Sequence, residues 1–284
     1  MALKHILIAT PTTNGVMKSK TATTLIVLMR QLTRAGVVAE YLNVDSSDIV
    51  YARNLYAREL LKSESLDGLL FVDSDMQFRP ALVLKMLKLD RDLVGAAYPK
   101  RRLDLDRFAR AMAESDDGSP QTQARALART YEFTVVPSWE RPNLSRLEVV
   151  GGFAKMAAAG MGCTLIGRTV FQAMIDGKVV DRRKDVIDGV EQLGWGFFDC
   201  LQVGDVTLSE DFSFCYRWTR LLGRDLWVNV DEQITHLGDF SHQARYLDRM
   251  AKIAGPGGAE TTPAPTADPD TIELDLDWIA QANS

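Results

Sequence analysis

The sequence predicts an α/β fold with a Rossmann-like, mostly parallel central sheet flanked by helices. Three observations predict it. Short apolar runs alternate with segments of helical periodicity through the first third of the chain. The runs lack polar alternation, as expected of strands buried on both faces. One of them, Leu69-Leu70-Phe71-Val72, ends in Asp73-Ser74-Asp75. Two carboxylates thus emerge at the C-terminal end of a strand, where open α/β sheets bind ligands.

The elements follow in order. Lys4–Ala9 reads as the first strand, and Thr10–Gly15 as a polar turn. Leu25, Leu28, Met29 and Leu32 share one face of a helix over Lys20–Ala35, which Gly36 stops. Val37–Val44 is a second strand. Ser46-Ser47-Asp48 offers caps for a helix over Ile49–Lys62. After the Asp73 strand, Pro80 opens a helix running to Leu89, and Leu93–Tyr98 is a further strand. Lys100–Arg110 is basic, and Glu114–Gln123 reads as an inserted loop around Gly118 and Pro120. Strands are expected at Thr130–Val136, Arg146–Val150 and Leu226–Val230. Helices are expected at Thr169–Ile175 and at Ser209–Leu222, the latter ending at Gly223. Ala157–Ile166 is small and Gly-rich, and Trp195–Leu201 is an aromatic, buried stretch. Gly255–Pro269 has linker composition, and residues 270–284 form an acidic tail with an apolar stripe.

Composition narrows the function. The 284 residues are 46% hydrophobic and 25% charged, ordinary for a globular enzyme. A net charge of −5 excludes indiscriminate nucleic-acid binding by the whole surface, though not by a local basic patch. Cys163, Cys200 and Cys215 lack metal-ligand spacing, and their odd number points to reduced thiols in a cytoplasmic setting. The N-terminal apolar stretch is too brief for a signal peptide. No apolar run approaches the roughly 20 residues of a membrane span.

Asp73 and Asp75 are suited to a hard divalent cation, which in turn can hold a diphosphate; alternatively they form an acidic loop that stops the strand. Asp45, after the second strand, can accept from a base or ribose. Arg53 can pair with a base carbonyl or phosphate, or lie on a solvated helix face. Glu210-Asp211 either supplies a catalytic base or complements a helix dipole. Gly160 and Gly162 allow backbone to approach a ligand or tight packing. Trp195 can stack on an acceptor or join a core with Phe197 and Phe198. Lys100, Arg101 and Arg102, like Arg182-Arg183-Lys184, form a basic run that binds an anionic ligand or is merely solvated. His5 reads as core-edge, and His242 as part of a helix.

Read in order, Thr10-Pro11, Ala52-Arg53-Asn54, Phe71-Val72-Asp73-Ser74-Asp75, Tyr98-Pro99, Gly160-Met161-Gly162, Ser209-Glu210-Asp211-Phe212 and His236-Leu237-Gly238 resemble a glycosyltransferase of the A-type (GT-A) fold. The likeness is to the family-2-like enzymes of bacteria and phages, and it covers residues 3–245. Thr12-Thr13-Asn14 stands where the family more often has Pro-x-Tyr-Asn. The resemblance implies a catalytic domain over 1–254, with a nucleotide-binding half over 1–99 and an acceptor half over 100–254. The linker would be 255–269.

It further implies transfer of a sugar from a nucleoside-diphosphate donor, UDP-linked, to an acceptor hydroxyl with inversion. Asp73, Asp75 and His236 would hold the metal, the imidazole favouring Mn²⁺ over Mg²⁺. Asp211 would be the base, with Glu210 beside it. Thr10, Pro11, Asp45, Arg53, Asn54 and Ser74 would meet the donor. Gly160, Gly162, Trp195 and Lys100, Arg101 and Arg102 would meet the acceptor, a saccharide or a hydroxymethylated base of phage DNA. The tail is expected to dock on the body or on a second subunit. Two other classes compete. A sugar-phosphate nucleotidyltransferase would carry a Gly-rich basic loop after the first strand, which Thr10–Gly15 lacks. A non-catalytic nucleotide-sugar-binding protein on the same scaffold would have no need of the Glu-Asp pair.

Overall fold

The computed structural model describes residues 3–102, 104–113, 119–141, 147–187, 190–238 and 241–246. The linker and tail expected beyond residue 254 lie outside the described residues. Seven strands form the central sheet, in the order Val38–Asp45, His5–Thr12, Gly68–Val72, Cys163–Gly167, Leu93–Ala96, Leu226–Asn229 and Phe153–Met156. Three neighbouring pairs are parallel. Cys163–Gly167 runs against both its neighbours, and Phe153–Met156 against Leu226–Asn229. The sheet is mixed, but five of its seven strands run the same way, so it is mostly parallel in direction. The strand that ends at Asp73 has one parallel and one antiparallel flank.

Side-chain alternation divides each central strand between two cores. Leu7, Ala9, Leu69 and Phe71 pack with Ala52, Tyr56 and Leu60 of the helix Ile49–Lys62. Ile6, Ile8, Leu70 and Val72 pack with Leu25, Leu28 and Leu32 of the helix Ser19–Arg34 on the other face. Asp48 caps Ile49–Lys62, accepting from the Tyr51 N–H at 3.0 Å. Gly36 follows the first helix at φ +74, a conformation open to glycine.

The middle of the chain departs from expectation. Leu105–Ala113 and Pro120–Thr130 are helices that pack on each other, where a loop was expected. Ser119 accepts from the Thr122 N–H and Pro120 occupies the first turn, so residues that punctuate loops here open a helix. The expected strand at Thr130–Val136 shrinks to Val135–Val136, paired with Ala158–Ala159. Leu147–Val149 is not a strand, and Val150 makes one isolated bridge to Phe153. Arg182–Ile187 and Val190–Trp195 form an antiparallel hairpin that the charged sequence concealed. Glu210–Tyr216 is α-helical, and the chain then widens into a π-turn over Arg217–Leu221 before Gly223. His242 lies in the strand Ser241–Ala244, not in a helix.

One small sheet matters for the site. Ile234–Leu237 lies between Ser241–Ala244 and Met76–Gln77, with His236 opposite Met76. The Leu237 N–H donates to the Asp75 carbonyl at 2.7 Å.

Candidate active site

Asp73 leaves the sheet where Gly68–Val72 ends, and its N–H donates to the Gly162 carbonyl at 3.0 Å. The chain turns at once, Met76 N–H to Asp73 carbonyl at 3.1 Å, so both carboxylates stay at the sheet's edge. A cavity of about 390 Å³ opens there, its wall including Pro11, Lys18, Asp73, Ser74, Asp75 and Arg101. The first helix begins at this wall, where the Lys18 N–H donates to the Ser74 carbonyl at 2.9 Å.

The small sheet carries His236 to Asp75. Nε2 lies 3.3 Å from Asp75 Oδ2, and Nδ1 lies 3.0 Å from the Pro99 carbonyl. A carbonyl only accepts, so Nδ1 carries the proton and Nε2 is the nitrogen presented to Asp75. That arrangement is typical of a histidine poised as a metal ligand. Arg101 Nη1 approaches the same Oδ2 at 3.2 Å. Burial alone would push the Asp75 carboxyl up, but its contacts with His236 and the Arg101 guanidinium hold it below its ordinary value. Among the described residues no group of three or more His, Cys, Asp or Glu side chains encloses a metal position. A cation on Asp75 and His236 would therefore take its other ligands from oxygens of a bound molecule, which suits an oxygen-seeking ion such as Mn²⁺ or Mg²⁺.

Behind the cavity stands Arg53, 2% exposed. Its Nη2 is 3.4 Å from Asp73 Oδ1, and its Nε is 3.2 Å from Asp211 Oδ1 and 3.5 Å from Glu210 Oε1. Its guanidinium also lies over the Phe71 ring, 4.9 Å from the centroid. Burial opposes its charge, yet Asp211, Asp73 and Glu210 together raise its pKa further above the ordinary value. Nε, Nη1 and Asp211 Oδ1 have no hydrogen-bond partner among the described residues, so this is a charge contact rather than an aligned fork.

Asp211 enters from the helix Glu210–Tyr216, whose cap Ser209 accepts from the Phe212 N–H. Its Oδ2 accepts from the Met161 N–H at 2.9 Å. Burial drives its pKa well above the ordinary carboxylate value, with Glu210 and Asp73 adding to the rise against Arg53. Asp73 is raised likewise, by burial first. The side chains of Glu210 and Asp211 keep 17% exposure, although neither lines the cavity.

The two glycines make this packing possible. The Tyr98 hydroxyl accepts from the Gly162 N–H at 3.0 Å. A Cβ on Gly160 would stand 2.3 Å from that hydroxyl, and one on Gly162 2.8 Å from it and 3.1 Å from Asp73 Oδ2. Tyr98 therefore floors the site between the two carboxylate clusters, and its ring meets His236 edge-on at 5.5 Å. Tyr98-Pro99 stood in the motif order, but nothing in the sequence marked the hydroxyl and the following carbonyl as site atoms. Lys18 carried no sequence signal.

The remaining expected site residues fall elsewhere. Thr10 is fully buried, and its carbonyl accepts from Asn43 and Tyr56. Asn54 is buried and spent on the fold, accepting from the Phe198 N–H and donating to Asp199. Neither lines the cavity, nor does Arg53. Asp45 closes the turn by accepting from the Gly15 N–H at 2.8 Å. Lys100 reaches toward Glu132 and Arg102 is exposed, while Arg101 lines the cavity beside Asp75. Trp195 is half-buried under the Arg182 guanidinium, 4.1 Å from its ring centroid. His5 pairs with Glu40 at the sheet edge.

No family model and no curated protein matches the chain. Among solved structures it is similar to A197 from STIV, with 13% identity over 83% of this chain and 86% of that one, at a TM-score of 0.43. It is also similar to a YaeC-family lipoprotein of Enterococcus faecalis, with 16% identity over 44% of this chain and 48% of that one, at a TM-score of 0.17.

Proposed function

We propose that this chain is a divalent-cation-dependent glycosyltransferase of the A-type fold, moving a sugar from a nucleoside diphosphate, UDP, to an acceptor hydroxyl with inversion. The observation that carries the reading is Arg53. It brings Asp73 of the Asp-Ser-Asp turn, which lines the cavity, beside Glu210 and Asp211, groups far apart in sequence. A nucleotide-sugar transferase needs those two chemistries adjacent: one to hold a departing diphosphate, one to accept a proton.

Asp75 and His236 would hold Mn²⁺ or Mg²⁺, with Asp73 next to them. The ion supplies Lewis-acid stabilisation of the leaving diphosphate. Asp211 takes the proton from the acceptor hydroxyl as its oxygen attacks C1 of the donor sugar and the C1–O bond to the diphosphate breaks. A carboxylate raised by burial is the stronger proton acceptor once ionised. Arg53 opposes that rise from behind while taking no place in the cavity. The Gly160-Met161-Gly162 backbone holds Asp211 through the Met161 N–H. The acceptor is a saccharide or a hydroxymethylated DNA base. A panel of nucleotide sugars incubated with Mn²⁺, read for hydrolysis and for transfer, tests the reading. Chelator-sensitive turnover of a UDP-sugar supports it, and no turnover of any sugar nucleotide contradicts it.

A further inference from the structure

Arg101 has two features that its neighbours lack. It lines the donor-side cavity, and its ion-pair partner among the described residues is Asp75, at 3.2 Å. The Asp75 oxygen it approaches, Oδ2, is also the one that faces His236 Nε2. One carboxylate oxygen therefore has an arginine and an imidazole converging on it, in a wall that also holds Asp73 and Lys18. Arg101 is 53% exposed and follows the end of the strand Leu93–Ala96, so its long side chain is free to change partners without disturbing the core. A divalent cation and a guanidinium cannot share that oxygen, because like charges at such separations repel. A diphosphate beside the cation offers Arg101 a better partner, since guanidinium and phosphate match in planar two-point geometry.

We propose that Arg101 and a divalent cation compete for Asp75, and that Arg101, once displaced, pairs with the donor diphosphate. The proposal rests on the glycosyltransferase reading and adds an exchange to it: the cation that guards the metal ligand becomes a ligand of the nucleotide. Metal and nucleotide binding are thereby coupled through one positioning residue. Arg101 belongs with the donor rather than the acceptor.

The exchange has an opposite-sign signature. In Arg101→Ala, Mn²⁺ alone binds more tightly, by up to about fivefold, the worth of a half-exposed ion pair. In saturating Mn²⁺ the same variant binds UDP more weakly, by about tenfold or more, the worth of a hydrogen bond to a charged group. Titration calorimetry of wild type and variant with Mn²⁺ alone, and with UDP in Mn²⁺, reads both. Arg101→Lys retains a competing charge without the fork, and should leave Mn²⁺ affinity near wild type while still weakening UDP. Unchanged or weaker Mn²⁺ binding by Arg101→Ala overturns the competition, and unchanged UDP binding overturns the handover. Wild-type protein that binds no UDP in Mn²⁺ overturns the proposed function itself, an outcome distinct from either.

Discussion

The His236 imidazole reaches Asp75 across the small sheet that pairs Ile234–Leu237 with Met76–Gln77, Nε2 to Oδ2 at 3.3 Å, with its other nitrogen held by the Pro99 carbonyl. A ring fixed at one nitrogen presents the other in a set direction. His236→Gln keeps a polar side chain but loses that nitrogen. Mn²⁺ affinity should fall by about 10- to 100-fold with little change in melting temperature. A variant that binds Mn²⁺ as wild type, but melts earlier, would assign His236 to the fold.

Asp211→Asn retains the shape that accepts the Met161 N–H but cannot take a proton. Transfer should fall by roughly 10²–10⁴-fold while UDP binding persists. Because burial raises the Asp211 carboxyl above its ordinary 3.8, its ionised form destabilises the fold once the pH exceeds that value. The variant should therefore melt no lower than wild type at pH 7. Near-native transfer in Asp211→Asn would move the base elsewhere.

Arg53 is the only described cation shown within ion-pair range of Glu210 and Asp211. Arg53→Met leaves Asp73, Glu210 and Asp211 facing one another without compensation. Guanidinium unfolding should show a loss of about 3–5 kcal/mol, the cost of orphaning buried charge. Arg53→Lys should recover part of it. A stable, fully folded Arg53→Met would mean that the carboxylates share protons instead.

Gly160→Ala should be poorly tolerated because its Cβ meets the Tyr98 hydroxyl at 2.3 Å. Tyr98→Phe removes that atom and should recover part of the stability in the double variant, a non-additive pair in a thermal-melt cycle. Strict additivity would show that the clash is relieved by backbone movement.

Glu232 is buried and paired with Arg79 and Lys85. Burial would raise its carboxyl, but those two cations hold it below the ordinary 4.5. A lowered folded value means stabilisation that is fully present above pH 4.5 and lost as the pH falls through the folded pKa. Glu232→Gln should thus cost about 1 kcal/mol at pH 7, discounted for the exposed cations, and progressively less in acid. A cost that does not vary with pH would point to packing rather than charge.

The first half of the sheet was legible because Ile6–Ala9 and Leu69–Val72 are uninterrupted apolar runs and Asp48 caps the helix between the second and third strands. The middle was not. Ser119-Pro120 reads as loop punctuation until the helix it opens is seen, and the Arg182–Trp195 hairpin hides behind charged residues. The motif carboxylates were legible as chemistry. Their grouping was not, because arginine is seldom buried and only tertiary packing brings Arg53 over Phe71 and among Asp73, Glu210 and Asp211. A basic run gives no direction to its members, so the sequence did not show that Arg101 lines the cavity while Lys100 and Arg102 do not.

The measurement that bears most directly on the proposed function is calorimetric titration of UDP into the protein with Mn²⁺, and again with the metal chelated. Asp73 and Asp75 present negative charge to the cavity, so a diphosphate should bind in Mn²⁺ and fail to bind in chelator, and Asp75→Ala should abolish the difference. Equal UDP affinity with and without Mn²⁺, or no binding under either condition, would contradict a cation-dependent nucleotide-sugar site at Asp75 and His236.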